Sequence, residues 1–359
     1  MVAKLMTTAV VVYNLGGPDG PDDVRPFLFN LFNDPMIIGA PAPIRWLLAQ
    51  MISRRRAPIA REIYAHIGGG SPLLANTRAQ ADALEAVLNT GGDQTYKCFV
   101  AMRYWHPMAD AVLGEVMAAK PDRIVLLPLY PQFSTTTVGS MMRVWEQSAR
   151  KRKLDIPVTA LCCYPTDPGF IDAVTGLLSG ALKGVSRDTS NLRVLFSAHG
   201  LPKQIVEGGD PYQSQVEQTA AAVMKNLPEN KGQDLDWLCC YQSRVGPLEW
   251  IGPSTDDEIE RAGADGKSVV IVPIAFVSEH SETLVELDIE YRELADEAGV
   301  AEYIRVPTVG TAPAFIDGLA DLVRANIAAG CDICSGDANA SGGRVCADEW
   351  SKCPVMKAG

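Results

Sequence analysis

The sequence predicts an α/β protein of two similar halves, each a four-stranded parallel sheet flanked by helices, followed by a short cysteine-rich tail. Three observations lead there. Apolar, β-branched runs alternate with helix-length amphipathic stretches along the chain. The runs are apolar at nearly every position, as strands covered on both faces require. The pattern then begins again near the middle of the chain.

In the first half the strand-like runs lie at residues 8–13, 97–102, 123–127 and 158–163; in the second they lie at 192–198, 237–240, 268–274 and 302–306. Helical periodicity marks 73–88, 109–119, 170–182, 213–227 and 311–327. The third run has the same form in both halves. Val125-Leu126-Leu127-Pro128-Leu129 leads to Phe133-Ser134, and Val270-Ile271-Val272-Pro273-Ile274 leads to Val277-Ser278. The first runs end in Asn14-Leu15-Gly16-Gly17-Pro18 and in Ser197-Ala198-His199-Gly200-Leu201-Pro202. The expected organisation is a first domain at residues 1–165, a second at 166–330, a cleft between them, and a tail at 331–359.

A chain of 359 residues suits two domains. Its net charge of -11 argues against nucleic acid, because phosphate binding needs a basic surface. The first residues lack both an apolar secretory core and an Arg/Ser-rich transit pattern, and no apolar run is long enough to span a bilayer. Nine cysteines without an export signal imply reduced thiols, so a cytoplasmic protein is expected.

Open α/β sheets bind ligands beyond the carboxyl ends of their strands. In a 2-1-3-4 strand order the first and third strands are neighbours. The loops 197–202 and 275–282 should then face each other, bringing His199, Glu279, His280 and Glu282 together. Glu279, Glu282, Glu286 and Glu290, spaced by three, four and four, would form one carboxylate stripe on a helix, with Arg292 the only nearby cation. A line of carboxylates ending at a histidine suits passage of protons or a divalent cation, and both ligand types accept Fe(II). The bland alternative is a solvated helix face.

Two glycine-rich loops, at 14–17 and 67–72, lack both the dinucleotide and the P-loop pattern. Close approach to a large flat ligand is the preferred use of their glycines. The stretch 36–52 is mostly apolar, with Trp46, Leu47 and Met51, and ends at Arg54-Arg55-Arg56. It reads either as a buried helix or as an exposed apolar lip with a basic edge, able to touch anionic lipid. In the tail, Cys331, Cys334, Cys346 and Cys353 are separated by two, eleven and six residues within a Gly/Ser/Ala-rich segment. Four thiolates on zinc or on a [2Fe–2S] cluster would organise it as a cap on the second half, near the helix at 311–327.

The segments 14–18, 67–72, 103–104, 130–134, 197–202, 242–247 with Trp250, and 276–291 closely resemble the ferrochelatases, in order, over roughly residues 8–328. The resemblance implies two Rossmann-like domains with a porphyrin cleft between them. It implies that His199 and Glu282 form the metal-insertion site, acting on Fe2+ as substrate. Glu279, His280, Glu286 and Glu290 then fall on a polar path, and Leu15, Ser71, Arg103, Tyr104 and Trp250 at porphyrin-binding positions. It also favours a [2Fe–2S] cluster over zinc on Cys331, Cys334, Cys346 and Cys353. Animal relatives place one cluster cysteine in the segment matching 132–140, which has none here, so an internal thiol such as Cys162 or Cys163 stays open as a replacement ligand. Position 15 is leucine where animal relatives have methionine.

The expected reaction is insertion of Fe(II) into protoporphyrin IX, giving protohaem and two protons. The rivals are a chelatase for cobalt or coproporphyrin and a non-catalytic haem- or cluster-binding sensor of the same fold. A peripheral position on the inner face of the cell membrane and a homodimer are left open.

Overall fold

A computed structural model describes residues 6–92, 94–185, 191–228, 235–244, 246–336 and 344–355. The chain opens with β1 (Met6–Asn14), then α1 (Val24–Phe32), the long α2 (Ala42–Ala65) and α3 (Leu73–Leu88). β2 (Gln94–Met102), α4 (Ala109–Ala119), β3 (Arg123–Pro128), a π-helical turn Thr135–Gly139, α5 (Ser140–Arg152) and β4 (Val158–Leu161) complete the first half. The second half runs α6 (Pro168–Lys183), β5 (Leu192–His199), α7 (Lys203–Glu207), α8 (Tyr212–Asn226), β6 (Asp236–Gln242), α9 (Thr255–Ala264) and β7 (Ser268–Pro273). A π-helix Glu282–Glu290 continues into α10 (Tyr291–Glu297), followed by β8 (Tyr303–Arg305), α11 (Pro313–Ala329) and β9 (Ile333–Cys334).

The four expected strands of each half form parallel sheets, in the orders β2-β1-β3-β4 and β6-β5-β7-β8. Each follows the 2-1-3-4 order that brings the first and third strand ends side by side. The uniform apolarity of β1 has a direct cause. Val10 and Val12 join the core layer that holds Leu84 and Leu88 of α3. Ala9, Val11 and Tyr13 point the other way, into the layer with Leu113 of α4 and Trp145 of α5. Alternating side chains leave a strand on opposite faces, so both sets must be apolar.

The layer that holds Val10 also holds Phe170, Val194, Phe196, Val216, Val270 and Phe315. One core therefore runs through both halves. α11 contacts α6, α3, β3 and β4, so the last long helix returns to the first half.

The tail adds a fifth strand to the first sheet. β9 pairs in parallel with β4, matching Ala160 with Ile333 and Leu161 with Cys334. The tail expected as a cap on the second half near 311–327 thus also extends the first sheet. β4 would otherwise present an unpaired edge, and β9 satisfies part of it. The tail still touches the second half, through the Lys352 amide donating to the Gly209 carbonyl at 3.1 Å and through Gly336 against Leu322 of α11.

Candidate active site

His199 is the last residue of β5, and the loop after β7 runs beside it. His199 Nδ1 stands 2.8 Å from Glu282 Oε2. The Tyr212 hydroxyl donates to the His199 carbonyl at 3.0 Å and fixes the backbone there. Burial opposes a charged imidazole, but the Glu282 carboxylate, with Glu286 behind it, raises His199 above its ordinary pKa. The same pairing works against the burial of Glu282 and, with His280 and Ser243, holds its carboxyl below the usual range.

Glu282 and Glu286 are driven apart in acidity. Burial and the Glu282 charge raise Glu286, although Ser243 and Gln242 donate to it. Ser243 Oγ lies 2.6 Å from Glu286 Oε2 and 3.4 Å from Glu282 Oε2. Gln242 Nε2 donates to Glu286 Oε2 at 2.9 Å, and the Tyr291 hydroxyl to Oε1 at 3.2 Å. Ser243 adopts φ +60°, in the left-handed region where serine is uncommon, and from there its amide also reaches Glu286 Oε1 at 2.8 Å. Two nearby carboxyls with opposite shifts, joined by a hydroxyl, are equipped to hold and move protons.

The glutamate stripe differs from its expected form. Glu282, Glu286 and Glu290 lie on a π-helix, and Glu279 precedes it. Arg292 is not the only nearby cation: Arg305 Nη1 donates to Glu279 Oε1 at 2.6 Å and Arg305 Nη2 to Asp288 Oδ2 at 2.5 Å. The Thr308 amide also donates to Glu279 Oε1, at 2.9 Å, and burial is outweighed so that Glu279 stays ionised. The charge of Glu279 is thus paired with Arg305, while Glu290 is exposed at the far end. His280 is buried and its Nδ1–H donates to the Ser278 carbonyl at 3.0 Å. Its ring packs edge-on against Phe276, with centroids 4.6 Å apart.

The first half supplies the opposite wall. Gly17 admits Ser71, since an added Cβ would stand 2.5 Å from the Ser71 side chain. Leu15 follows β1, and its carbonyl accepts from the Tyr104 amide at 2.9 Å. Arg103 and Tyr104 converge on Asp34, which sequence reasoning passed over. Asp34 Oδ2 accepts from Arg103 Nη2 and from the Tyr104 hydroxyl, each at 2.7 Å, and from the Ser140 hydroxyl. Only the turn-like Asn33-Asp34-Pro35 marks the position in sequence. Tyr64 of α2 was missed as well; it interacts with Ser281, and burial first, then the Glu282 charge, push it up to about 12. Trp250 packs over Gly200, and its indole nitrogen is buried without a partner.

Two side chains of α3 lock this wall to the loops after β7 and β8. Asn76 Nδ2 donates to the Glu279 carbonyl, and Gln80 Nε2 to the Val277 and Gly310 carbonyls, all at 2.9 Å.

The four tail cysteines do not converge. Cys331 and Cys334 are disulfide-bonded to each other. Cys346 instead meets Cys163 and Cys353, and Cys162 Sγ lies 3.5 Å from Cys163 Sγ. Among the described residues no three His, Cys, Asp or Glu side chains are arranged to hold a single metal ion.

On α2, Ile44, Trp46, Leu47 and Met51 are each more than half exposed. Leu47, Gln50, Met51, Arg54 and Arg55 line a surface hollow there. The exposed-lip alternative for 36–52 therefore holds over the buried-helix one.

The ferrochelatase family model matches residues 7–327. A ferrochelatase of Caulobacter vibrioides is 55% identical over 351 residues, covering 97% of both chains. One of Pelagibacter ubique is 50% identical over 319 residues, covering 89% of this chain and 91% of that one. Among solved structures, SirB from Bacillus subtilis with Fe3+ has a TM-score of 0.51 at 12% identity, covering 90% of this chain and 96% of that one, a likeness of fold. With the family model spanning nearly the whole described α/β body, the chain belongs to the ferrochelatase family.

Proposed function

We propose that this chain inserts Fe(II) into protoporphyrin IX to give protohaem. The observation that carries the reading is the His199–Glu282–Ser243–Glu286 group at the strand ends of the second half. Insertion must remove two pyrrole protons and hand over one metal ion. With Nδ1 engaged by Glu282, Nε2 of His199 is the atom that faces the substrate. Glu282, ionised, stabilises the imidazolium as a proton arrives, and Glu286, whose carboxyl is raised, is the next acceptor along the hydroxyl bridge. Leu15, Ser71 and Arg103 on the opposite wall and Trp250 beside Gly200 hold the macrocycle, with Tyr104 buried behind them on Asp34, and binding energy from the remote parts of the ring bends it to expose the nitrogen lone pairs.

Anaerobic Fe(II) insertion into protoporphyrin and coproporphyrin, measured side by side, tests this reading. Turnover of coproporphyrin alone, or of Co(II) in place of Fe(II), would replace it.

A [2Fe–2S] cluster is part of the proposal, with a revised ligand set. Cys163, Cys346 and Cys353 form a chain of thiol contacts from two chain segments, the residues after β4 and the tail. Two irons share four thiolates between them, so the thiols need not meet at one point. Cys162 is the nearest source of the fourth thiolate, and Cys331 or Cys334 becomes one once a dithiol reductant has opened the disulfide between them. The cluster would supply a structural cross-link between the end of β4 and the tail. Single Cys→Ser replacements with iron and sulfide analysis test the set; full colour after Cys163→Ser would restore the four-in-the-tail assignment.

The lip is proposed to rest on anionic lipid at the inner face of the cytoplasmic membrane. No helix of the described residues is long and apolar enough to cross one. Trp46→Ser with Leu47→Ser should reduce pelleting with anionic liposomes, and a native protein that never pellets would confine the lip to the porphyrin.

A further inference from the structure

We propose that Gln215 is a positioning residue that ties the thiol site to the floor of the catalytic cleft; this rests on the cluster reading above. Gln215 is 2% exposed and uses both ends of its carboxamide. Nε2 donates to Cys346 Sγ at 3.1 Å and to Cys163 Sγ at 3.4 Å. Oε1 accepts from the Phe133 amide at 2.7 Å. One buried side chain thereby joins the tail, the segment after β4 and the loop after β3. A buried amide with every bond made fixes its neighbours as well as itself.

The same turn of α8 reaches the catalytic histidine. Tyr212 stands three residues before Gln215 and donates to the His199 carbonyl. At the helix start, Asp210 Oδ1 accepts from the Tyr212 amide at 3.0 Å. Asp210 Oδ2 takes the Thr135 amide and hydroxyl, each at 2.7 Å, and the Ser134 hydroxyl at 3.1 Å. The loop after β3 is thus held twice by this turn, once at Phe133 and once at Ser134–Thr135. Cluster ligation makes Cys163 and Cys346 thiolates, and an N–H bond to a charged acceptor is the stronger kind. Occupancy of the thiol site would therefore tighten the turn that carries Tyr212.

Two substitutions in the full-length protein separate the roles of Gln215. Gln215→Glu keeps an acceptor for the Phe133 amide and loses both donors to sulfur. Gln215→Met, of similar volume, loses all three bonds. Hydrogen bonds to cluster sulfurs are one of the protein's controls on reduction potential. Both variants that retain iron and sulfide should shift to lower potential and change their visible circular dichroism. Amide exchange at Phe133 should stay slow in Gln215→Glu and quicken in Gln215→Met. Native protein lacking iron and sulfide overturns the cluster reading and this assignment together. A cluster-bearing Gln215→Glu variant with native potential and spectrum overturns this assignment alone. If Gln215→Met does not fold, the Gln215→Glu potential still decides.

Discussion

Replacing Glu282 by glutamine separates the charge of the His199 partner from its shape. Glutamine has nearly the same volume, and its Oε1 can still accept from Nδ1–H at the position now 2.8 Å away. What disappears is the negative charge. Two unit charges about 4 Å apart interact by about 1 kcal/mol in water and about 4 kcal/mol at an effective dielectric of ~20. The His199 side chain is 40% exposed, so solvent screening places the pair toward the lower end. About 1–2 kcal/mol corresponds to roughly one pH unit, at about 1.4 kcal/mol per unit. His199 should therefore titrate about one unit lower in Glu282→Gln, read by NMR on the ring protons. Iron insertion should fall by about 10² or more, because proton acceptance loses its counter-charge. The sign has a consequence for stability. A histidine raised in the folded state stabilises the fold below its unfolded value, and that contribution fades as pH rises through the folded value. Native protein should lose this increment as pH rises from about 6.5 through the raised value, and the variant should show less of it. An unshifted His199 with full activity would refute the charge argument.

Further outcomes follow from the same geometry. His199→Ala should lose at least about 10²-fold in iron insertion with little change in thermal midpoint, since the half-exposed ring sits at a strand end; retention of a tenth of the activity would sink its role. Glu286→Gln should impair turnover more than Glu290→Gln, because Glu286 is bonded to Gln242, Ser243 and Tyr291 while Glu290 is exposed; equal, mild effects would favour a solvated face. Asp34→Ala should cost about 3–5 kcal/mol in urea unfolding by stranding Arg103 without its buried partner, and should weaken porphyrin binding in fluorescence titration. A loss under about 1 kcal/mol would show that the network is solvated.

Legibility in the sequence followed the range of the interactions concerned. The strands of both halves and the helices α3, α4, α6, α8 and α11 were readable, because hydrophobic periodicity is written into neighbouring residues; α5 was not named, and α2 was foreseen only in part, as the stretch 36–52. The meeting of His199 with Glu282 was also readable, since strand order alone puts the first and third strand ends together. The glutamate spacing was legible, but its helix type was not. An i→i+5 ladder differs from an α-helix in backbone pairing, which the spacing of 282, 286 and 290 leaves open.

What only the tertiary structure decided depends on side chains far apart in sequence. Asp34 meets Arg103 across 69 residues, and Gln80 meets the Val277 carbonyl across 197. Gln215 meets Cys346 across 131. Nothing local to either partner marks such a bond, because its geometry comes from how helices cross between two sheets. The tail shows this most directly. Its four cysteines suggested a closed set on one segment, whereas pairing of β9 with β4 draws Cys346 and Cys353 toward Cys163. Sequence determined which residue types this protein brings to its two sites; the shared core between its halves determined which of them touch.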